Sequence, residues 1–351
     1  MIGKSTSAKI ANMSIVCAFL VVCIHVAQGV EVALGTSSWW IRKLLFWGFS
    51  SLAVPYFFVV SGFFIARHIN EDGWYKRELH RRIYSLIIPL LVWCLIYVFI
   101  TAILIVCANV VHSRPLLTNL RISAFEVLTW FGIIPWETPA VPAGWYIRML
   151  FILVIISPLL KKIVESRIVL CALSVVVVIY LGIYSTVPFL SKGPSCFLQF
   201  GFSFEGVLYY SLGMWLQVRR IRVSIKSIWA IILGAVGVGL LFIGAILSMR
   251  EVACSGVLLR LAIPFNMLFI WHYISDATIP RWLTSSTFPV YLSHQLVIMI
   301  LGGFLDGYIF VRENALLYFL MCVLVFLISV VCSVSIRLLP ATLVQLLTGG
   351  R

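Results

Sequence analysis

Few polar side chains of this sequence lie inside long apolar runs, and these residues are the first candidates for chemistry. His25 stands near the end of the apolar run 10–30. An imidazole there can take a proton from a hydroxyl group, as a general base does, or can simply hydrogen-bond a neighbouring helix. His294 lies within a later run and needs a polar partner. Ser61 and Gly62, in PYFFVVSGFFI, offer one hydroxyl and allow another backbone to approach closely.

The densest cluster of charge is the segment 67–82, which reads RHINEDGWYKRELHRR. Arginine binds phosphate oxygens through paired hydrogen bonds, so Arg77, Arg81 and Arg82 are candidates to hold a phosphate-bearing donor. The same cluster also fits a role in setting membrane topology and in contacting anionic lipid. The sequence leaves both interpretations open.

A second set of polar and aromatic residues stands at the starts of later apolar runs. Its members are Trp145, Arg148, Glu205 and Arg260. Each alone is typical of an aromatic belt with arginines that extend to the membrane interface. Together they are candidates to line a cavity that binds a polar, hydroxylated acceptor by hydrogen bonds and stacking.

The chain that positions these residues has 351 residues, of which 62% are hydrophobic and 11% charged. Soluble proteins are about 45–50% apolar and about 25% charged, so this composition excludes a soluble domain and a disordered chain. We predict one all-α, polytopic membrane domain over residues 1–351, with about ten transmembrane helices. The predicted spans are 10–30, 44–66, 83–107, 146–160, 168–187, 204–218, 228–248, 257–274, 286–303 and 315–339.

The basic residues predict the orientation of these spans. The sequence has 26 Lys and Arg against 12 Asp and Glu, a formal net charge of +14. With a cytoplasmic N-terminus, most basic residues and all their dense clusters fall on the cytoplasmic side, which predicts that both termini are cytoplasmic. The charge therefore indicates membrane lipid as a partner rather than nucleic acid.

Several other sites are not indicated by the sequence. It has no phosphate-binding loop, GxSxG or HExxH motif, which disfavours ATP hydrolysis and a serine-hydrolase mechanism. The 9 cysteines include no CxxC pair or Cys/His cluster, so we predict no metal site. Cys196 and Cys254 fall in predicted outer loops, where a disulfide and two free thiols are equally compatible with the pattern.

Five stretches in a fixed order resemble the integral-membrane acyltransferase family 3, a group of sugar O-acetyltransferases. The resemblance covers about the whole chain, and it depends on the combination rather than on one motif. The stretches are FLVVCIH ending at His25, VPYFFVVSGFFI at 54–65, RRIYSLIIPLLVWCLIY at 81–97, GWYIRMLFILVIISPLL at 144–160 and FPVYLSHQLVI at 288–298.

This resemblance implies a bacterial cytoplasmic-membrane enzyme that moves an acyl group, usually acetyl, onto a hydroxyl of a cell-envelope glycan or lipid-linked sugar. Acetyl-CoA or another acyl-CoA is the implied co-substrate, with no permanently bound cofactor. His25 matches the proposed catalytic histidine, either as base or as covalent carrier of the acyl group. Ser61 and Gly62 match the family's Ser-Gly pair and are expected to help bind the donor. His294 matches a late Tyr-Leu-x-His and is expected to support the site. The oligomeric state and the identity of the sugar do not follow from the resemblance.

Two positions depart from the family pattern. Ser14 and Ser85 stand where the family usually has basic residues, and both fall on the side expected to hold the donor. The alternative function, a glycan transporter or flippase on the same frame, is compatible with these losses. A purely structural membrane subunit would leave His25 and the basic loop unexplained.

The predicted orientation is testable by labelling. In a chain without native cysteines, single cysteines placed at 71–76 should be shielded from an impermeant thiol reagent in intact cells. Cysteines placed at 191–194 should be labelled, because the positive-inside rule puts them outside. The opposite labelling pattern would invert the donor and acceptor sides.

Overall fold

A computed structural model describes residues 4–26, 36–113, 115, 123–131, 133, 140–186, 204–221, 223–252, 255–304 and 314–350. The predicted all-α class is confirmed, since regular structure in these ranges is helical without strands. Cys196 and Cys254 lie outside the described residues. The helices are α1 (Lys4–Val26), α2 (Trp39–His68), α3 (Trp74–Val111), α4 (Ala124–Trp130), α5 (Gly144–Ile155), α6 (Ser157–Glu165), α7 (Arg167–Thr186), α8 (Phe204–Val218), α9 (Ser227–Met249), α10 (Ser255–Tyr273), α11 (Arg281–Thr284), α12 (Thr287–Phe304), α13 (Ala315–Ile336) and α14 (Ala341–Thr348).

Within the described ranges, six helices are long and apolar enough to cross a membrane, namely α1, α2, α3, α9, α10 and α13. Three shorter apolar helical stretches add to them, Gly144–Ile155, Arg167–Val176 and Thr287–Gly302. The chain is therefore built as a multi-pass membrane protein. The number of ten spans and the cytoplasmic position of both termini stay predictions.

Some predicted boundaries were wrong. The helix α3 begins at Trp74 instead of 83, because Lys, Arg and Glu are good helix formers even where hydropathy is low. Arg42 and Lys43, assigned to an outer loop, lie within α2. The fourth predicted span breaks at Ile156 into α5 and α6, because Pro158 lacks the N–H that would continue the helical hydrogen bonds.

Two glycines let α2 and α8 cross with their backbones in contact. A Cβ added at Gly62 would lie 2.0 Å from the carbonyl oxygen of Tyr210, and one at Gly213 would lie 1.9 Å from the carbonyl oxygen of Val59. Only glycine fits at either position, as is typical of close helix pairs in membranes. This contact fixes the stretch of α2 that carries Ser61.

The half of α1 that is predicted to be cytoplasmic forms hydrogen bonds with the end of α10 and the residues that follow it. Lys9 donates hydrogen bonds to the carbonyl oxygens of Trp271 and His272, each over 3.3 Å. Asn12 donates from its amide nitrogen to the carbonyl oxygens of Ser275 and Ala277, over 2.8 and 2.9 Å. These contacts satisfy carbonyls that the end of a helix leaves without partners. They fix the axial position of α1, whose other end carries His25.

The α2–α8 crossing predicts a strong effect of one added methyl group. Gly213→Ala should lower the free energy of unfolding by about 1–3 kcal/mol or more, because the new Cβ meets backbone that cannot move aside cheaply. Gly239→Ala in α9 is the matched control, since nothing lies within 4 Å of a Cβ there. Reversible unfolding in mixed detergent micelles measures both, and equal stability of the two variants would contradict the close crossing.

Candidate functional site

One turn of α12 gathers the polar groups at the centre of the candidate site. Tyr291, His294 and Gln295 share a face because they are spaced three and four residues apart. The hydroxyl of Tyr97 joins this turn from α3, since it donates to the carbonyl of Leu292 over 2.9 Å and accepts from the N–H of Leu296 over 2.8 Å. The Leu292 carbonyl and the Leu296 N–H would otherwise pair with each other within α12. The Tyr97 hydroxyl therefore bridges one backbone hydrogen-bond position of α12, beside His294.

The imidazole of His25 reaches this turn from the last residues of α1. The Gln295 amide nitrogen Nε2 lies 2.7 Å from Nδ1 of His25, and the Gln295 oxygen Oε1 accepts the N–H of Ala143 over 2.9 Å. The ring centroid of His294 lies 5.0 Å from that of His25. The structure therefore brings together the two histidines that the sequence could only name separately, with Gln295 as their polar neighbour.

Aromatic rings continue from the two histidines toward a cavity. The Tyr291 ring centroid lies 6.0 Å from that of His294 and 5.4 Å from that of Tyr146. The Tyr291 hydroxyl donates to the carbonyl oxygen of Ala143, which holds the ring in place. Tyr146 and Tyr291 both line the cavity, so the aromatic series begins at its wall and ends at His25.

The cavity has a volume of about 560 Å³, and we call it the arginine cavity. Its basic lining residues are Arg67, His68, Arg81 and Arg82, and none of the described residues that line it is acidic. Such a lining attracts an anionic group, because guanidinium groups form charge-assisted hydrogen bonds with phosphate oxygens.

Three serines also line the arginine cavity, Ser14, Ser61 and Ser85. Ser85 lies in a π-helical turn, Ile83–Ile87, at the point where α3 passes the cavity. The end of α14 closes this side, since Gly349 has a positive φ of 67° and lies against the Ser85 backbone. The two positions that depart from the family pattern, 14 and 85, therefore belong to one cavity.

Glu78 balances part of the positive charge beside the cavity. Its carboxylate is buried, and it pairs with Arg81 over 2.9 Å and with Arg82 over 3.4 Å. One carboxylate thus serves two guanidinium groups, which leaves an excess of positive charge on the lining. The same pairing holds both arginine side chains in position on α3.

Arg77 points away from the arginine cavity and does not line it. It donates to the carboxylate of Glu71 over 2.8 Å and to the carbonyl oxygen of Asp72 over 2.7 Å. His68 donates from Nδ1 to the same carboxylate over 2.6 Å, and together with Arg77 this bond holds the pKa of Glu71 below its usual range. Arg67 and His68, which were not among the predicted donor residues, line the cavity together with Arg81 and Arg82.

Gly62 and its neighbour Ser61 have different surroundings. Ser61 faces the arginine cavity, whereas Gly62 contacts the backbone of Tyr210 in α8. Ser61 therefore lines the cavity, whereas Gly62 allows α2 to pack closely against α8.

The predicted acceptor residues divide into two groups. Glu205 and Arg260 form an ion pair and line a second cavity of about 660 Å³ between α7, α8 and α10. Trp145 and Arg148 lie on α5, where Trp145 stacks edge-on against Tyr146 with ring centroids 6.3 Å apart. They do not line the second cavity among its described residues, so the structure does not gather all four residues in one place.

Gln295, which contacts both His25 and Ala143, was not predicted from the sequence. A polar side chain in the middle of an apolar helix usually finds a partner on another helix, and its position next to His294 was the available signal. Its partners, however, come from α1 and from the start of α5, which are far away in sequence. Only the packed structure identifies them.

Comparison with known families gives one match. The family model of acyltransferase family 3, described as an acyltransferase domain, matches residues 10–334. The match begins in α1 and ends in α13, so it includes both histidines, the arginines of α3 and the Glu205–Arg260 pair. No curated protein and no solved structure matches the chain.

Proposed function

This chain belongs to acyltransferase family 3, and from that premise we propose that it is a membrane O-acyltransferase of the bacterial cytoplasmic membrane. In this proposal an acyl group, acetyl in the simplest case, passes from a cytoplasmic CoA thioester to a hydroxyl of a cell-envelope glycan or lipid-linked sugar. The acyltransferase activity follows from membership of this family. The donor, the acceptor and the residue roles are proposed from the geometry.

The arginine cavity is the observation that carries the proposal for the donor. CoA is rich in phosphate, and three arginines without an acidic lining residue form a matching surface. Ser61 and Ser85 have hydroxyl groups that can donate to phosphate oxygens, whereas the Ser14 hydroxyl already donates to the carbonyl oxygen of Ile10. The donor's charged end would therefore bind at Arg67, Arg81 and Arg82.

The aromatic series supports a path from this cavity to His25. The acyl end of the donor would extend along the lining to Tyr146 and Tyr291. From Tyr291, ring-to-ring steps of 6.0 and 5.0 Å lead through His294 to His25. A flexible thioester arm suits this geometry, because the phosphates stay at the arginines while the carbonyl carbon approaches the imidazole.

In the proposed reaction His25 acts on the acceptor hydroxyl. The imidazole takes the hydroxyl proton while the oxygen attacks the thioester carbonyl carbon. The C–S bond then breaks, and the sulfur leaves as a thiolate that receives the proton from His25. The products are an ester and a free thiol. In the covalent variant, the imidazole lone pair attacks the carbonyl carbon first, and the C–S bond breaks to release the sulfur as a thiolate. The acceptor hydroxyl then attacks the acyl-imidazole, the C–N bond breaks, and the hydroxyl proton goes to the thiolate, which leaves as the free thiol.

The acceptor would bind on the far side of His25 from the arginine cavity. Trp145 and Arg148 lie in the first two turns of α5, just after Ala143, and Ala143 and His25 both contact Gln295. An indole and a guanidinium group suit a sugar, because one stacks on its ring and the other donates to its hydroxyls. The Glu205–Arg260 pair would bind a more distant part of the acceptor in the second cavity.

Replacing His25 tests the proposed chemistry. His25→Ala should reduce acyl transfer by about 100-fold or more while the protein remains inserted and abundant, because a general base contributes about 10²–10⁴-fold. The assay is transfer of radiolabelled acetyl from acetyl-CoA to envelope glycan in membrane vesicles. His272→Ala is the matched control, since this histidine contacts Ser227 at an exposed position. Transfer above about a tenth of the wild-type rate would remove His25 from this role and favour the transporter function.

Replacing Arg82 tests the donor site. Arg82→Ala should raise the apparent KM for the acyl-CoA donor by about ten- to a hundredfold, because a charge-assisted phosphate contact contributes about 1.5–3 kcal/mol. Arg77→Ala should leave this KM close to normal, because Arg77 pairs with Glu71 away from the cavity. Ser14→Arg adds a cation to the lining and should lower the KM of the Arg82 variant. If Arg82→Ala had a normal donor KM and Ser14→Arg left that KM unchanged, the donor's anionic part would bind elsewhere.

A further inference from the structure

The orientation of the Gln295 amide follows from its contact with Ala143. A backbone N–H can only donate, so the group that faces it over 2.9 Å must be the amide oxygen. The amide nitrogen therefore faces Nδ1 of His25, at 2.7 Å. Rotating the amide by half a turn would place its two N–H groups against the N–H of Ala143 and lose that hydrogen bond. The hydrogen-bond network thus determines which end of the Gln295 amide is oxygen and which is nitrogen.

This orientation has a consequence for the proton on His25. The amide nitrogen has only hydrogens to offer, so Nδ1 of His25 must accept with its lone pair. A neutral imidazole carries one proton, which is then on Nε2. A proton on Nδ1 would face the amide N–H groups and would repel them. The contact therefore selects one of the two neutral tautomers.

His294 has the opposite tautomer. Its Nδ1 lies 3.1 Å from the carbonyl oxygen of Val290, which can only accept, so Nδ1 carries the proton. The Nε2 lone pair of this fully buried ring has no hydrogen-bond partner among the described residues. Two rings with centroids 5.0 Å apart are thus held in different protonation patterns by different neighbours.

We propose that Gln295 is a positioning residue that holds His25 as the Nε2–H tautomer, with its reactive lone pair on Nδ1. This inference rests on the proposed function, since both the base route and the covalent route need that lone pair. The chemistry then takes place at Nδ1, and it begins when the acceptor or the thioester takes the place of the Gln295 amide.

The test exchanges the donor that faces Nδ1 for an acceptor. In Gln295→Glu, one carboxylate oxygen still accepts the N–H of Ala143, and the other now accepts a proton from Nδ1. Full-length protein labelled with ¹⁵N in His and Gln, in lipid nanodiscs, gives the protonation of each ring nitrogen at alkaline pH, where the rings are neutral. The His25 signals are identified by their loss in His25→Ala. Gln345→Glu, at an exposed position of α14, is the matched control.

We expect wild type and the Gln345 variant to show His25 with a bare Nδ1 in contact with the Gln295 amide protons, and His294 with a protonated Nδ1. In Gln295→Glu, His25 should change to the Nδ1–H form. Its kcat for transfer should fall by about tenfold or more, while the donor KM stays within about twofold. Gln295→Met, which cannot donate, should lower kcat in the same way.

A wild-type His25 protonated on Nδ1 when neutral, or a tautomer unchanged by Gln295→Glu, would overturn this inference. These spectra require no catalysis, so they separate the inference from the proposed function. If His25→Ala retained transfer, the proposed function would fail whatever the spectra show. If His25→Ala abolished transfer but the tautomer did not respond to residue 295, only the role of Gln295 would be lost.

Discussion

The peptide group of Ala143 is held on both sides by α12, and the site depends on this contact. Tyr291 donates to its carbonyl oxygen, and Gln295 accepts its N–H. In apolar surroundings an unpaired peptide group costs about 1–3 kcal/mol, so the start of α5 is strongly tied to α12. Because Gln295 also contacts His25, the end of α1 joins the same unit. Three helices that are distant in sequence thus meet at one shared hydrogen-bond network.

In the proposed reaction, the arginine cavity and the histidine pair would divide the work that acyl transfer requires. The cavity would recognise the charge of the donor, because Glu78 holds Arg81 and Arg82 in place without cancelling their combined charge. The two histidines lie beyond Tyr291, where His294 is fully buried and a hydrogen bond is stronger than in water. This separation would allow a highly charged donor to bind at one end while its neutral acyl group extends toward His25.

The sequence predicted the all-helical class and named the two histidines that the structure brings together, because both depend on local signals. Apolar runs identify membrane helices, and a histidine inside such a run is a candidate site residue even before the fold is known. The side-chain directions were not predictable: Arg77 turns back to its own loop, and Gly62 faces α8. The same limit concealed Gln295, whose two partners are supplied by other helices. Hydropathy also placed the start of α3 too late, since Trp74 begins a helix that charged residues continue.

Mass spectrometry of envelope glycans from wild-type cells and from cells that lack this protein tests the central claim most directly. The account predicts that one glycan or lipid-linked sugar loses an acyl-sized mass, most simply an acetyl group, in the deletion strain, and regains it when the gene is restored. That result would identify the reaction class and the acceptor together. Unaltered acylation combined with a changed amount or location of a glycan would contradict an acyl transfer role and would support a transporter.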